Sequence, residues 1–192
     1  VSYPQTHTMP SFQEIVDDLG RSEILLSVAV AGGGASGITD LMTCSGCSKF
    51  LFDFQVPYGK GAFDSIAGHL MDLDYKYVTQ EAADRLAKGM LTQQLRKCHD
   101  TDGKIRASVG VTSKLTTGPG EREGRNHVVY FSAILHDVDS VEISTGLEYI
   151  PLSTTRLDQE NEVAGALLAF LTALAVEARH LRDMSSIFNP FA

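Results

Sequence analysis

Along this chain the apolar positions fall into two rhythms, and the elements can be read from where one gives way to the other. Ile24 to Ala31 is an unbroken run of small, aliphatic and β-branched residues, which suits a strand buried on both faces. Gly32-Gly-Gly34 breaks it, and a short helix is expected near Ala35 to Met42. Before that strand, Ser11-Phe-Gln-Glu14 has the spacing of a capping box, so a first helix should run from Phe12 to about Leu19, with Gly20 ending it. Phe50 to Val56 reads as a second strand closed by Pro57, and Phe63 to Leu73 as a helix. Thr79 caps a stronger helix with Ala82, Leu86 and Met90 on one stripe and Ala83, Ala87 and Leu91 beside it.

Asp102-Gly103 turns the chain into a third strand, Ile105 to Val111, followed by a polar loop from Thr112 to Arg125. Val128 to Leu135 and Val141 to Tyr149 read as an antiparallel pair, with a tight turn over Asp137 to Ser140. Thr155-Arg-Leu-Asp158 opens a last long helix, apolar nearly all round and so expected to be central. The order is helix, strand, helix, strand, two helices, three strands, helix, with no repeat and no linker. It predicts one three-layer α/β domain over residues 11–184, a mixed β-sheet flanked by helices, with an N-terminal arm at 1–10 and an apolar tail at 185–192.

Composition narrows the function classes. The 192 residues carry a net charge of −8, which repels phosphate backbones and argues against non-specific nucleic-acid binding. The longest apolar stretch, Val163 to Val176, falls short of the roughly 18–20 residues that span a bilayer, so no membrane span is expected. Starting at Val1, the chain reads as a trimmed product whose targeting is undecided; a soluble intracellular protein, of cytoplasm or organelle matrix, is the expectation. Three cysteines, two of them in Cys44-Ser-Gly-Cys47, do not make a disulfide scaffold. With no second C-x-x-C or histidine pair, neither a structural zinc nor any other metal or cofactor is expected. His180 with Arg179 and Arg182 fits compensation of a helix dipole at its C-terminal end.

Two segments could carry chemistry. Gly32, Gly33 and Gly34 lie between a strand and a helix, where free backbone N–H groups suit a phosphate or carboxylate; close strand–helix packing would need the same glycines. The loop Thr112-Ser-Lys-Leu-Thr-Thr-Gly-Pro-Gly120 follows a buried strand at the end where open α/β sheets place ligands. Its hydroxyls, its lysine and its glycine turn could grip a phosphorylated ligand, or it could be a solvated connection.

Read together, these segments resemble the C-terminal domain of CinA, the nicotinamide mononucleotide amidohydrolase family, in its divergent eukaryotic-type branch. That domain runs its first strand into A-E-S-C-T-G-G and ends its second in a V-V-x-Y-S-type motif with a lysine a few residues on. A helix beginning V-S-x-E-x-A and a strand ending V-T-G-x-x-G-P-G follow. Here the matching stretches are Val28-Ala-Val-Ala-Gly-Gly-Gly34, Gln55-Val-Pro-Tyr58, Val78-Thr-Gln-Glu-Ala-Ala83, Val109-Gly-Val-Thr112 and Gly118-Pro-Gly120, in the same order. The resemblance implies a serine that attacks a carboxamide carbon and a lysine that takes its proton. In this sequence those positions are Ala31 and Phe63, with Val30 at the glutamate. A methyl group cannot attack, and a phenyl ring cannot accept a proton.

What the resemblance leaves in place as ligand contacts is Gly32, Gly33, Gly34, Tyr58, Thr112, Ser113, Gly118 and Gly120, with Arg156 as a replacement phosphate contact. Ser36 and Lys60 could form a shifted serine–lysine pair if loops brought them within about 3 Å. The leading expectation is a catalytically degenerate domain that binds a small nucleotide, as a non-catalytic subunit of a homo-oligomer or larger complex held through the tail at 185–192. An active amidohydrolase on nicotinamide mononucleotide, or a purely structural module, are the alternatives.

Overall fold

In the computed structural model, the described residues are 10–68, 75–98, 104–119, 121, 124–137 and 142–188, the side chains of 184–188 excepted. The elements run α1 (Phe12–Arg21), β1 (Ile24–Ala31), α2 (Ala35–Met42), a 3-10 turn (Cys47–Lys49), β2 (Leu51–Gln55), α3 (Lys60–Ala67), α4 (Gln80–Lys97), β3 (Ile105–Lys114), β4 (Val128–His136), β5 (Glu142–Tyr149) and α5 (Arg156–Phe188). One five-stranded sheet has the order β2-β1-β3-β4-β5. β1 is parallel to both neighbours, whereas β3, β4 and β5 are antiparallel in turn.

Local chemistry sets most boundaries. Ser11 and Glu14 form the expected capping box, with the Ser11 N–H donating to the Glu14 carboxylate at 2.8 Å. Gly20 does not end α1; the helix runs on to Arg21, and Ser22 closes it by donating its N–H to Asp18 and Leu19 carbonyls. β2 is shorter than the apolar run Phe50 to Val56, because Phe50 closes the 3-10 turn and is buried in the core. α3 begins three residues before Phe63 and ends at Ala67; the predicted remainder, from His69, lies outside the described residues, as do the Asp102-Gly103 turn and residues 138–141.

The two faces of the sheet differ in side-chain size. Leu26, Val28 and Val30 of β1 and Ala107, Val109 and Val111 of β3 join α1, α2 and α5 in the larger core. The alternate positions, paired across the two strands, are Ser27 with Ser108, Ala29 with Gly110 and Ala31 with Thr112. That face of small residues lets α4 lie close. A Cβ on Gly110 would run into the Ala83 carbonyl and come within 2.6 Å of the Ala87 nitrogen, and one on Gly89 would strike the Ile66 carbonyl.

α5 corrects the expectation of a helix buried all round. It lies on one face of the sheet, with Val163, Leu167, Leu171 and Ala175 fully buried, while Ala169, Ala173 and Val176 face outward. Its segment Arg156–Asp183 is long and apolar enough to cross a membrane by length and composition, yet its apolar side forms the core of this domain. The helix continues through Phe188, past the predicted start of the tail at Ser185. Arg179 and His180 therefore sit inside the helix rather than at its end, and Arg179 pairs with Asp18 of α1 at 2.9 Å.

Two neighbouring substitutions on β3 should separate by size. Gly110→Ala should lower unfolding stability by about 1–3 kcal/mol through overpacking against the α4 backbone. Ser108→Ala, which removes a buried hydroxyl that has no hydrogen-bond partner, should change it by less than about 1 kcal/mol. Chemical denaturation of both variants measures the contrast.

Candidate functional site

Carboxyl ends of β1, β2 and β3 open onto a cavity of about 470 Å³, at the edge of the sheet where parallel strands usually present ligands. Ala31 and Gly32 contribute from the end of β1, Pro57 to Lys60 from the turn after β2, Phe63 from α3, and Ser113 to Leu115 with Thr117 from the end of β3. Tyr77 and Val78 precede α4, Arg125 precedes β4, and Arg156 opens α5. Of the residues expected from sequence, Gly32, Tyr58, Ser113 and Arg156 meet here, together with Lys60 and the substituted positions Ala31 and Phe63. Tyr58 is 77% exposed at the rim. Phe63 does not plug the cavity; its ring is buried in the wall, edge-to-face with Tyr77 at 5.1 Å.

Lys60, Lys114, Arg125 and Arg156 line this cavity, and among the described residues no aspartate or glutamate does. Among the described residues, only Arg125 of these four is in an ion pair, with Glu121 at 2.9 Å. Lys60 places its ammonium over the Tyr77 ring at 5.4 Å. Burial and the Asp64 carboxylate beside it push the Tyr77 phenol up, so it stays a neutral wall and not a base.

The glycine turn is closely packed by its neighbours, the second of the two roles its sequence allows. The carboxylate of Glu160, on α5, sits on the N-terminus of α2: it accepts the Gly34 N–H at 2.8 Å, the Ser36 N–H at 3.4 Å and the Ser36 hydroxyl at 3.1 Å. An anion does occupy this helix end, and it is the chain's own. Gly33 donates its N–H to the Ser113 hydroxyl. The three glycines are needed because neighbours press on them. A Cβ on Gly32 would meet Ser113, one on Gly33 would meet Leu115 and the Glu160 carboxylate, and one on Gly34 would lie 2.8 Å from Val163 Cγ1. Gly32 and Gly34 also take positive φ, 119° and 103°. Gly33, Gly34 and Ser36 thus do not line the cavity, and Ser36 and Lys60 are not brought together: one is held by Glu160, the other lies over Tyr77.

Thr112 is likewise absent from the cavity. Its side chain is fully buried toward α4 and donates to the Thr79 carbonyl at 3.4 Å, tying β3 to the cap of α4. Gly118 belongs to a clasp rather than to the cavity wall, donating its N–H to the Thr116 hydroxyl at 3.2 Å; Gly120 lies outside the described residues. The Thr116 hydroxyl donates to Glu121 at 2.6 Å, and the Thr116 N–H donates to Gln159 Oε1 at 2.7 Å. With Oε1 so used, the buried Gln159 amide donates to the Ser153 carbonyl and to His127 Nδ1. His127 must then carry its proton on Nε2, which faces Glu121 at 3.1 Å. Sequence reasoning missed Tyr77, Arg125 and Glu160, because each reaches the site from a segment distant in the chain.

Among the described residues no His, Cys, Asp and Glu gather into a metal-holding group. Cys44 and Cys47 are free thiols, and burial pushes that of Cys47 up.

The clasp has a pH signature. The Thr116 hydroxyl first, then His127 and Arg125, hold the Glu121 carboxyl below the usual carboxylate range. A native carboxyl held below its unfolded value stabilises fully above the unfolded value, and that contribution disappears as pH falls through the lower native one. Thermal unfolding of the native chain minus that of Glu121→Gln should therefore show a stability difference at neutral pH that shrinks in acid; a difference independent of pH would contradict the assignment.

The sequence matches no protein-family model and no curated protein. Solved structures do resemble it. A CinA-superfamily protein from Enterobacter cloacae superposes with a TM-score of 0.61 at 13% identity, over 93% of this chain and 98% of that one. One from Klebsiella pneumoniae gives 0.59 at 17% identity, over 89% and 99%. The competence/damage-inducible protein CihA from Agrobacterium tumefaciens gives 0.58 at 14% identity, over 90% and 99%. With the strand order and helix layers above, these likenesses establish that the chain has the fold of the CinA superfamily.

Proposed function

We propose that this chain is a CinA-like domain without amidohydrolase activity that binds a small phosphate-bearing nucleotide in the cavity at the carboxyl ends of β1 to β3. The observation that carries the reading is the charge of the cavity: among the described residues four cationic side chains line it, no carboxylate does, and three of the four have no ion-pair partner. Unpaired cations facing a partly enclosed, low-dielectric space favour an anion there more than the same cations spread over an open surface. Phe63, Tyr77, Leu115 and the exposed Tyr58 supply apolar and aromatic wall for a ring attached to that anion.

Chemistry is the part the site does not support. At the serine and lysine positions that the resemblance assigns, Ala31 and Phe63 offer no nucleophile and no proton acceptor. The substitute pair is held apart, Ser36 donating into the Glu160 carboxylate and lying outside the cavity that Lys60 lines.

Thermal unfolding in the presence of nicotinamide mononucleotide, AMP or ADP tests binding. A ligand at 100 times its Kd should add about 2.7 kcal/mol to stability. Arg156→Ala or Lys114→Ala should weaken that ligand roughly ten- to a hundredfold, the worth of a charge-assisted hydrogen bond. No ammonia should be released from nicotinamide mononucleotide. Ammonia release abolished by Lys60→Ala or Ser36→Ala would overturn the non-catalytic reading, and the absence of stabilisation by any of these nucleotides would overturn the binding one.

A further inference from the structure

Every charged side chain on the cavity at the carboxyl ends of β1 to β3 is a hydrogen-bond donor. Lys60, Lys114, Arg125 and Arg156 line it, and among the described residues no aspartate, glutamate, asparagine or glutamine does. Lysine and arginine have no acceptor atom. The Ser113 hydroxyl already accepts the Gly33 N–H, which leaves its own proton to give. The side chains therefore supply no partner for a positive charge, and only hydroxyl oxygens as acceptors for the N–H groups of a carboxamide. Arg125 is paired with Glu121, so among the described residues Lys60, Lys114 and Arg156 leave three positive charges for a ligand to balance.

Aromatic walls ordinarily attract cationic rings through their π faces. In this cavity that attraction is already taken up. The Tyr77 ring carries the Lys60 ammonium at 5.4 Å from its centroid and meets Phe63 edge-to-face at 5.1 Å. Tyr75 lies against the same ring, again edge-on. Tyr58 remains, but it stands exposed at the rim, where a cation–π contact is worth least.

Resting on the nucleotide-binding reading of this cavity, we infer that its ligand is a nucleoside diphosphate, or a similar anion of about three charges with an uncharged ring. A pyridinium nucleotide is selected against. At neutral pH a nucleoside monophosphate supplies about two negative charges and a diphosphate about three. Nicotinamide mononucleotide supplies about one net charge, because its ring is cationic. That ring would enter among cations, with no carboxylate beside it, in a partly enclosed space that strengthens charge interactions. Lys60 sets the ring preference, since it both occupies the Tyr77 ring and repels a second cation.

Isothermal titration calorimetry in metal-free buffer, with two ligand pairs that each differ in one feature, tests this. ADP against AMP varies the number of charges. Nicotinamide mononucleotide against its reduced dihydropyridine form varies the ring charge and keeps the phosphate and the carboxamide. ADP should bind roughly tenfold or more tightly than AMP, and the reduced mononucleotide roughly tenfold or more tightly than the oxidised one. Lys60→Gln should lower the affinity for ADP and raise that for nicotinamide mononucleotide, bringing its oxidised and reduced forms within about threefold of each other. A merely damaged cavity would not give that gain. Equal binding of the two redox forms, or of ADP and AMP, would overturn the inference and leave nucleotide binding in place. So would a Lys60→Gln chain that weakens all four ligands alike. Binding of none of the four would instead overturn the nucleotide-binding reading, and this inference with it.

Discussion

The contact between Glu160 and the start of α2 decides what kind of site this fold presents. In a strand–glycine–helix arrangement the helix N-terminus is the natural seat for an incoming anion, because its N–H groups are free and its dipole favours negative charge. Here a carboxylate from the first turns of α5 takes that seat, bonding Gly34 and both donors of Ser36. Three results follow from one side chain. The N–H groups of Gly34 and Ser36 are satisfied without a ligand, α5 is locked across the glycine turn, and the Ser36 hydroxyl is turned into a donor for a structural carboxylate.

With that seat filled, the remaining positive charge is displaced by one loop layer. The cations that line the cavity come from the turn after β2, the end of β3, the approach to β4 and the start of α5. None of them is a backbone donor, and they are flexible side chains around a partly open space. Such an arrangement can hold an anion by charge. The clasp of Thr116, Glu121, His127 and Gln159 keeps the loop that carries Ser113 to Thr117 against the body of the domain, so the cavity wall is held in shape without a ligand.

How much of this was legible in the sequence depends on the range of the interaction involved. β1 and α2 were read to the residue, because a buried parallel strand and a glycine break leave a local pattern. The cap at Thr79 and the antiparallel pair β4 and β5 were read for the same reason. The glycine turn was located but its purpose was not. Whether three glycines cradle a ligand or yield to crowding depends on Ser113, Leu115, Glu160 and Val163, which lie 80 or more residues away in the chain. Thr112 was misread in a similar way. A strand-end threonine looks like a ligand contact until the β1–β3 register turns it toward α4. α5 was judged apolar all round because alanines and leucines alternate along it, and composition cannot tell a buried alanine from one that is merely small.

Where an anion goes when it meets this domain separates the cationic cavity from the glycine turn as its seat. Backbone amide NMR during titration with inorganic pyrophosphate reads that location directly. The amides of Tyr58, Ser113, Lys114 and Arg156 should shift together along one saturable curve, while those of Gly34 and Ser36, already bonded to Glu160, should stay in place. Shifts centred on Gly34 and Ser36 with the cavity amides unmoved would mean that the glycine turn, and not the cationic cavity, is the anion site.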